Sequence, residues 1–489
     1  MKQLIPLSFA LAWLFISCSK DYNAADYPGG YYASYASMDE VGDNQSGDRF
    51  DEIVENPFVD AAEQNVSTFS VDADGAAYAY MRRCIKDGVR PSVNSVRIEE
   101  YLNYFTFDYP DPTDDSRVAL NAEAGPCPWN QEHKLLRLGI KGKTLAESEI
   151  PTANYVFLLD ISGSMYSEDK LPLLKRGMIA MLDYLSPNDR VAIVTYASGE
   201  KLLLKSTPVS SKSTIVNAIS KLEAGGSTAG ASGMKMAYQE AEKNFIKGGN
   251  NRVIMGTDGD FNVGITGTDA ICEFVKEYAA KGIYITMCGF GRGNLNDAMM
   301  EKVSNSGNGT YEFIDCEQEM TKVFVTERSR FVSVANDCKA QVIFDSTVVK
   351  KYRLIGYENR MLNNEDFEND KVDAAEIGSG QTITALYELE LVPEAEGSVA
   401  KFDFRYKDAI GDQSRYLSMD VPAVSDKLSE NLGFASAVAA WGLYLRDSEY
   451  KGNATPALAK QLATQAIGAD PSGYRQEFIS LIDKGAQLK

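Results

Sequence analysis

The sequence predicts an α/β protein whose centre is a mostly parallel sheet with helices on both faces. Between Asn154 and about Phe331, short apolar or β-branched runs alternate with segments that carry apolar residues at helical spacing. Such alternation implies right-handed crossover connections, which place helices over both faces of a parallel sheet. The run Val-Ile-Met at 253–255 is apolar on both sides, as expected of a strand in the middle of such a sheet.

The elements of this central domain follow from their periodicity. Strands are predicted at residues 155–159, 191–196, 253–257 and 283–289, and helices at 171–185, 230–245 and 270–281. Ligands of open parallel sheets bind at the C-terminal ends of the strands, where the connections diverge. The loops that follow the predicted strands are therefore the first place to search for a functional site.

The flanking regions have different patterns. Residues 59–109 look mostly helical with a strand near 68–71, and 117–143 look β-like. Strand-like runs at 341–344, 382–391, 401–406 and 415–421 predict a β-rich domain, a sandwich. A helix is predicted at 432–445, and Pro471 opens a last one. The predicted division is: signal peptide 1–18, flexible tether 19–55, N-terminal accessory region 56–150, central α/β domain 151–332, β-rich domain 333–424 and C-terminal helical segment 425–489.

The N-terminus predicts export. A positive charge precedes an apolar run from Leu4 to Ile16, which is too short to span a bilayer stably. Phe15-Ile16-Ser17-Cys18 resembles a bacterial lipobox, although Phe15 stands where Leu is usual, and the resemblance implies that Cys18 becomes a lipid-bearing N-terminus. Ser19 resembles an outer-membrane sorting residue, and Lys20-Asp21 resembles the export tag of some surface lipoproteins. The expected location is the outer membrane of the cell envelope, on the periplasmic or surface face.

Composition argues against several classes of function. Lys and Arg total 49 against 69 Asp and Glu, so the formal charge of −20 disfavours nucleic acid as a partner. The single histidine, His133, lies in a polar run that favours a surface loop, and no GxSxG, HExxH or complete Walker A pattern is present. Six cysteines follow Cys18, with no CxxC spacing; disulfides and buried free thiols both remain open.

The stretch Asp160-Ile161-Ser162-Gly163-Ser164 carries the strongest functional signal. The apolar strand before it delivers one acid and two hydroxyls at alternate positions, so one loop can direct three oxygens to a point. Thr228 after Gly225-Gly226-Ser227, and Asp258 directly after a predicted strand, offer two more. Oxygen donors of this kind suit Mg²⁺ or Ca²⁺. The alternative is that Ser162, Ser164 and Thr228 only cap helices.

This set is similar to the metal-ion-dependent adhesion site of von Willebrand factor type A (VWA) domains, which have a Rossmann-like fold. The resemblance implies that Ser162, Ser164 and Thr228 are hydroxyl ligands, that Asp160 and Asp258 are the acids, and that a partner's carboxylate fills an open position. The segment 258–262 also imitates the start of an EF-hand loop. Val263 and Asp269 do not fit that loop, so Asp260 and Asn262 are interpreted as loop-shaping or supporting residues.

The resemblance extends from about Asn56 to the C-terminus. Segments 248–252, 257–264, 352–360 and 366–374 resemble bacterial VWA lipoproteins of the YfbK type. The resemblance to that family implies an architecture and a metal site, but it does not specify the process in which the protein acts.

Three functions are compatible with these features. The favoured one is metal-dependent binding of a protein ligand that presents an acidic side chain, without enzyme activity. The second is a scaffold for envelope assembly with a structural metal. The third is a metal-dependent hydrolase, which lacks an evident general base and nucleophile.

Overall fold

The computed structural model describes residues 47–72, 74–226, 233–259, 267–372 and 374–488. The strands are β1 (Val59–Asp60), β2 (Val66–Ser70), β3 (Val118–Pro126), β4 (His133–Gly142), β5 (Ala153–Asp160), β6 (Arg190–Tyr196), β7 (Glu200–Pro208), β8 (Asn250–Thr257), β9 (Ile283–Phe290), β10 (Thr310–Ile314), β11 (Ser333–Phe344), β12 (Val349–Ile355), β13 (Met361–Leu362), β14 (Ala375–Gly378), β15 (Thr382–Leu391), β16 (Ala400–Lys407) and β17 (Arg415–Asp420). The helices are α1 (Ala76–Lys86), α2 (Ile98–Asn103), α3 (Leu171–Met181), α4 (Lys212–Ser220), α5 (Gly233–Lys243), α6 (Thr268–Ala279), α7 (Asp297–Ser306), α8 (Glu317–Thr321), α9 (Glu430–Arg446), α10 (Pro456–Gln465) and α11 (Tyr474–Gly485).

The central sheet confirms the predicted fold class. Its strand order is β10-β9-β8-β5-β6-β7, and every neighbouring pair is parallel except β6 and β7. Side chains alternate between two cores because successive residues of a strand point to opposite faces. On β5, Val156 and Leu158 enter one core, whereas Phe157 and Leu159 enter the other.

The connections of this sheet diverge at the C-terminal end of β5. From β5 the chain continues to β6 on one side, whereas from β8, the neighbour on the other side, it continues to β9 in the opposite direction. Leu159 lies opposite Gly256, so the residues that end β5 and β8 are at the same level. This is the position at which open α/β sheets form a ligand-binding crevice.

A β-sandwich is built from both ends of the chain. One sheet has the order β1-β12-β15-β4-β3, and the other has the order β13-β2-β11-β16-β17, with β14 also paired to β11. Strands of the region 56–150 therefore pair directly with strands of 333–424: β4 pairs with β15 and β2 with β11. The two regions that the sequence places apart share one apolar core, because neither buries its inner face alone.

A helical layer also combines both ends of the chain. Helix α9 is buried along most of its length and packs with α1, α2, α10 and α11 around a core that includes Tyr78, Tyr101, Phe434 and Trp441. Ala76, Ala79 and Tyr80 lie on another part of α1 and enter the core of the central sheet. Helix α1 therefore joins the helical layer to the α/β domain.

The chain is bound to the folded body from its first described residues. The predicted tether extends to residue 55, but Asp48 accepts hydrogen bonds from the N–H groups of Gly293 and Leu295 at 2.6 and 2.9 Å, and Asn56 donates to the carbonyl oxygen of Gly356 at 2.9 Å. These contacts are to residues far away in sequence, which explains why composition alone indicated a tether. Residues 1–46, with Cys18, lie outside the described part of the chain.

Two further findings concern the described residues. The six cysteines after Cys18 are free thiols, four of them buried. Among the described helices, none combines the length and the apolar character needed to cross a bilayer.

Candidate metal centre

The predicted acid and hydroxyls converge where β5 ends. Asp160 is completely buried; its Oδ1 accepts the N–H of Ser162 at 2.8 Å and its Oδ2 accepts the hydroxyl of Thr257 at 3.2 Å. The hydroxyl oxygens of Ser162 and Ser164 lie 3.0 Å apart. Ser162 is buried and Ser164 is exposed, so this loop leads from the interior to the surface.

The second predicted loop is fixed against the first. The N–H of Gly163 donates to the carbonyl oxygen of Gly226 at 3.1 Å, and the N–H of Gly225 donates to the carbonyl oxygen of Ile161 at 2.8 Å. Gly226 has a φ of +89°, and a Cβ there would lie 2.5 Å from the Ser198 hydroxyl oxygen, so only glycine fits this close approach. Thr228 itself lies outside the described residues.

Asp258 brings a second carboxylate to the same edge of the sheet. It directly follows β8 and is 1% exposed. Its Oδ2 accepts a hydrogen bond from the ammonium of Lys170 at 2.8 Å, while its Oδ1 is buried without a hydrogen-bond partner. A buried carboxylate oxygen without a partner needs a cation or a water molecule to replace its lost hydration. Asp258 thus meets the requirement for a residue facing a bound ion.

The charge state of Asp160 reflects its surroundings. Its pKa is raised to about 6, chiefly by burial and with a smaller contribution from the negative charge of Asp258, although hydrogen bonds from Ser162 and Thr257 act in the opposite direction. Two carboxylates close together in a buried place favour a positive charge between or beside them.

The donor set fits a hard divalent cation. Carboxylate and hydroxyl oxygens at the end of a parallel sheet suit Mg²⁺ or Ca²⁺, and the limited number of acids leaves a bound ion electrophilic. Among the described residues, no three His, Cys, Asp or Glu side chains gather as in a zinc or acid-rich calcium site. If the centre holds a metal, Ser162 and Ser164 are its described hydroxyl donors, and Asp160 and Asp258 its acids.

Sequence reasoning missed two residues of this centre. Thr257 donates to Asp160, and its position as the last residue of β8 was the available signal. Lys170 contacts Asp258 across 88 positions of sequence, and nothing in the local pattern indicates this. Asp260 and Asn262 lie outside the described residues.

His133 differs from its sequence interpretation. It is the first residue of β4, in the sandwich, rather than part of a surface loop. Its side chain is 18% exposed and its Nδ1 lies 2.6 Å from Glu388 Oε1. Glu388 also accepts from Arg353 and from the indole N–H of Trp129, so His133 belongs to a polar cluster between strands.

Comparison with known proteins assigns each part of the chain. The family model described as von Willebrand factor matches residues 44–137, that of the von Willebrand factor type A domain matches 154–325, and that of Uncharacterized protein YfbK, C-terminal, matches 329–488. Domains of this type commonly mediate protein–protein interaction.

Individual relatives cover most of the chain. The YfbK protein of Escherichia coli (strain K12) is 40% identical over 463 residues, which are 89% of this chain and 80% of that protein. The sll0103 protein of Synechocystis is 24% identical over 319 residues, 62% of this chain and 72% of that protein. A solved structure of a von Willebrand factor type A protein from Catenulispora acidiphila is similar with a TM-score of 0.44 and 16% identity, covering 77% of this chain and 91% of that one. This chain belongs to the YfbK family of von Willebrand factor type A proteins.

Proposed function

We propose that this protein is a metal-dependent protein-binding lipoprotein of the bacterial cell envelope, in which Mg²⁺ or Ca²⁺ at the centre around Asp160 accepts a carboxylate from a protein partner. One observation carries the proposal: two buried acids and two converging hydroxyls meet at the C-terminal edge of the central sheet, and one carboxylate oxygen of Asp258 has no partner.

The surroundings of the centre support an adhesion-type interaction. Ser164 is exposed beside the buried acids, so an ion bound there is reachable from solvent. Tyr166, two residues on, is 80% exposed. An exposed tyrosine contributes strongly to protein interfaces because it combines a large apolar ring with a hydroxyl. The proposed partner therefore inserts an acidic side chain toward the ion and packs against Tyr166.

The N-terminal features support binding at the envelope. In the proposal, a lipid on Cys18 anchors the protein to the outer membrane, and the residues before Gly47 connect the anchor to the folded body. Replacement Cys18→Ser should move the protein from the membrane fraction to the soluble fraction of the envelope. Retention of the variant in the membrane fraction would contradict the anchor.

The test of the function is metal-dependent capture. Wild-type protein, Asp160→Asn and Asp183→Asn are immobilised and exposed to envelope extract of the same cells, with Mg²⁺ or with EDTA. Asp183 is the control, because it is an exposed carboxylate of the same domain in an ion pair with Lys212. We expect one set of proteins to be captured by wild type and Asp183→Asn with Mg²⁺, and to be lost with EDTA or Asp160→Asn. Capture that depends neither on the metal nor on Asp160 would favour the scaffold function instead.

A further inference from the structure

Lys170 brings a positive charge of the protein itself into the candidate metal centre. It precedes the first residue of α3, and its ammonium donates to Asp258 Oδ2 at 2.8 Å and to the carbonyl oxygen of Ser164 at 3.0 Å. The side chain of Lys170 is 16% exposed, and that of Asp258 is completely buried. The ammonium therefore bridges two of the loops that form the centre.

The surrounding structure holds Lys170 in this place. Its N–H donates to the carbonyl oxygen of Ser167, and its own carbonyl oxygen accepts the N–H of Leu174. The preceding Asp169 is bound by Arg83 of α1 at 2.8 Å and by the Ser167 hydroxyl at 2.6 Å. The backbone on both sides of Lys170 is thus fixed.

The path of the side chain depends on a glycine. Gly291, in the loop after β9, has a φ of +70°, and a Cβ at this position would lie 2.3 Å from the Cε of Lys170. A Cβ there would force the end of the lysine side chain to shift from its position beside Asp258, and the positive φ itself favours glycine.

A divalent cation at the partnerless Oδ1 of Asp258 would lie beside the ammonium that Lys170 places on Oδ2 of the same carboxylate. Leaving the buried Asp258 without a positive partner is costly, so the ammonium stabilises the metal-free centre. A bound ion supplies two positive charges at the same place, and the ammonium then repels it. We propose that Lys170 is a built-in counter-ion, which neutralises Asp258 while the centre is empty and is displaced from it when the metal binds. This inference rests on the proposed metal-dependent function and adds a control of its affinity.

The experiment uses the full chain, purified in detergent and stripped of metal, as wild type, Lys170→Met and Lys281→Met. Lys281 is the matched control: it precedes β9 at the opposite edge of the same sheet and pairs there with Glu242 and Glu277. Calorimetric titration with Mg²⁺ should show roughly tenfold tighter binding by Lys170→Met, because the repelling charge is gone. Lys281→Met should bind Mg²⁺ as wild type does.

Thermal unfolding supplies a second readout, and its measurement in EDTA does not require metal binding. In EDTA, Lys170→Met should melt below wild type, and Mg²⁺ should raise its Tm by more than that of wild type. In an Asp258→Asn background, Lys170→Met should no longer lower the Tm in EDTA, since the carboxylate it neutralises is absent.

The outcomes separate this inference from the proposed function. If wild type binds Mg²⁺ and Lys170→Met binds it equally or more weakly, the counter-ion role of Lys170 is overturned and the metal-dependent function stays intact. Absence of Mg²⁺ and Ca²⁺ binding in every variant would overturn the metal-dependent function and the displacement together.

Discussion

Glu312, on β10, keeps its proton to an unusually high pH. The side chain is buried, and burial raises its pKa to about 7 although Lys322 and Arg330 act in the opposite direction. Its ordinary pKa is near 4.5. The folded protein therefore binds this proton more tightly than the unfolded chain does. The stabilisation is complete below the unfolded pKa and is lost as the pH rises from about 4.5 to about 7.

A neutral replacement tests this effect. Glu312→Gln resembles the protonated form, so the free energy of unfolding at pH 8 should exceed that of wild type by about 1–3 kcal/mol, with little difference at pH 4.5. Urea unfolding at the two pH values measures it. Glu63→Gln, at an exposed position, is the control and should change neither value. A Glu312→Gln protein whose stability falls with pH as much as that of wild type would refute the assignment.

The residues of the candidate centre differ in how visible they are in sequence. Asp160, Ser162 and Ser164 follow one strand at alternate positions, and Asp258 follows another, so spacing alone predicts that they lie close together. Lys170 owes its role to Asp258 and to the space over Gly291, both distant along the chain. The ends of strands are therefore predictable from the local sequence pattern, whereas a contact between residues that only the fold brings together is not.

At the scale of elements, the side chain of Arg82 connects its own helix to several others. It is fully buried on α1 and forms ion pairs with Asp315 after β10, with Glu319 on α8 and with Glu477 on α11. The Tyr104 hydroxyl also accepts a hydrogen bond from it at 2.7 Å. This cluster fixes the last helix of the VWA domain to the helical layer.

Removing the guanidinium would leave several buried carboxylates without a partner. Arg82→Met should therefore lower the free energy of unfolding by about 3–5 kcal/mol, the range for a broken buried ion pair. Lys86→Met removes the exposed partner of the same Glu477 and should cost less than about 1 kcal/mol. Urea unfolding at pH 7 compares them. Equal losses in the two variants would show that the cluster does not join the elements as described.

Element bounds were predictable where hydrophobic periodicity is uninterrupted. The strand predicted at 382–391 is observed as Thr382–Leu391. The strand predicted at 341–344 in fact begins at Ser333. Its first half is not predictable from the pattern, because the polar residues Asn336 and Lys339 interrupt the alternation of apolar residues. These two side chains donate to the carbonyl oxygens of Asp408 and Asn369, which allows polar residues inside a strand.

At the scale of the whole molecule, the VWA domain is inserted between two halves of one sandwich. Strand pairing such as Leu138 with Ala385 joins residues more than two hundred positions apart, and no local pattern carries that information. The separate regions of the protein are therefore predictable from the sequence, but the pairing of strands before and after the VWA domain into one sandwich is not.

The insertion makes the VWA domain dependent on its neighbours. Ala76, Ala79 and Tyr80 of α1 complete its core, so an isolated 151–332 fragment should expose apolar surface. We expect it to bind the dye ANS more strongly and to unfold at a lower temperature than the full chain, which should melt in a single transition. A fragment that binds no dye and melts with the full chain would contradict this interdependence.

The most direct test of the central claim is calorimetric titration of Mg²⁺ and Ca²⁺ into metal-stripped protein, beside Asp160→Ala and the surface control Asp183→Ala. We expect one ion bound per chain in wild type and Asp183→Ala, and no binding in Asp160→Ala. Binding that survives the loss of Asp160, or its absence from the wild-type protein, would contradict a metal centre at the end of β5.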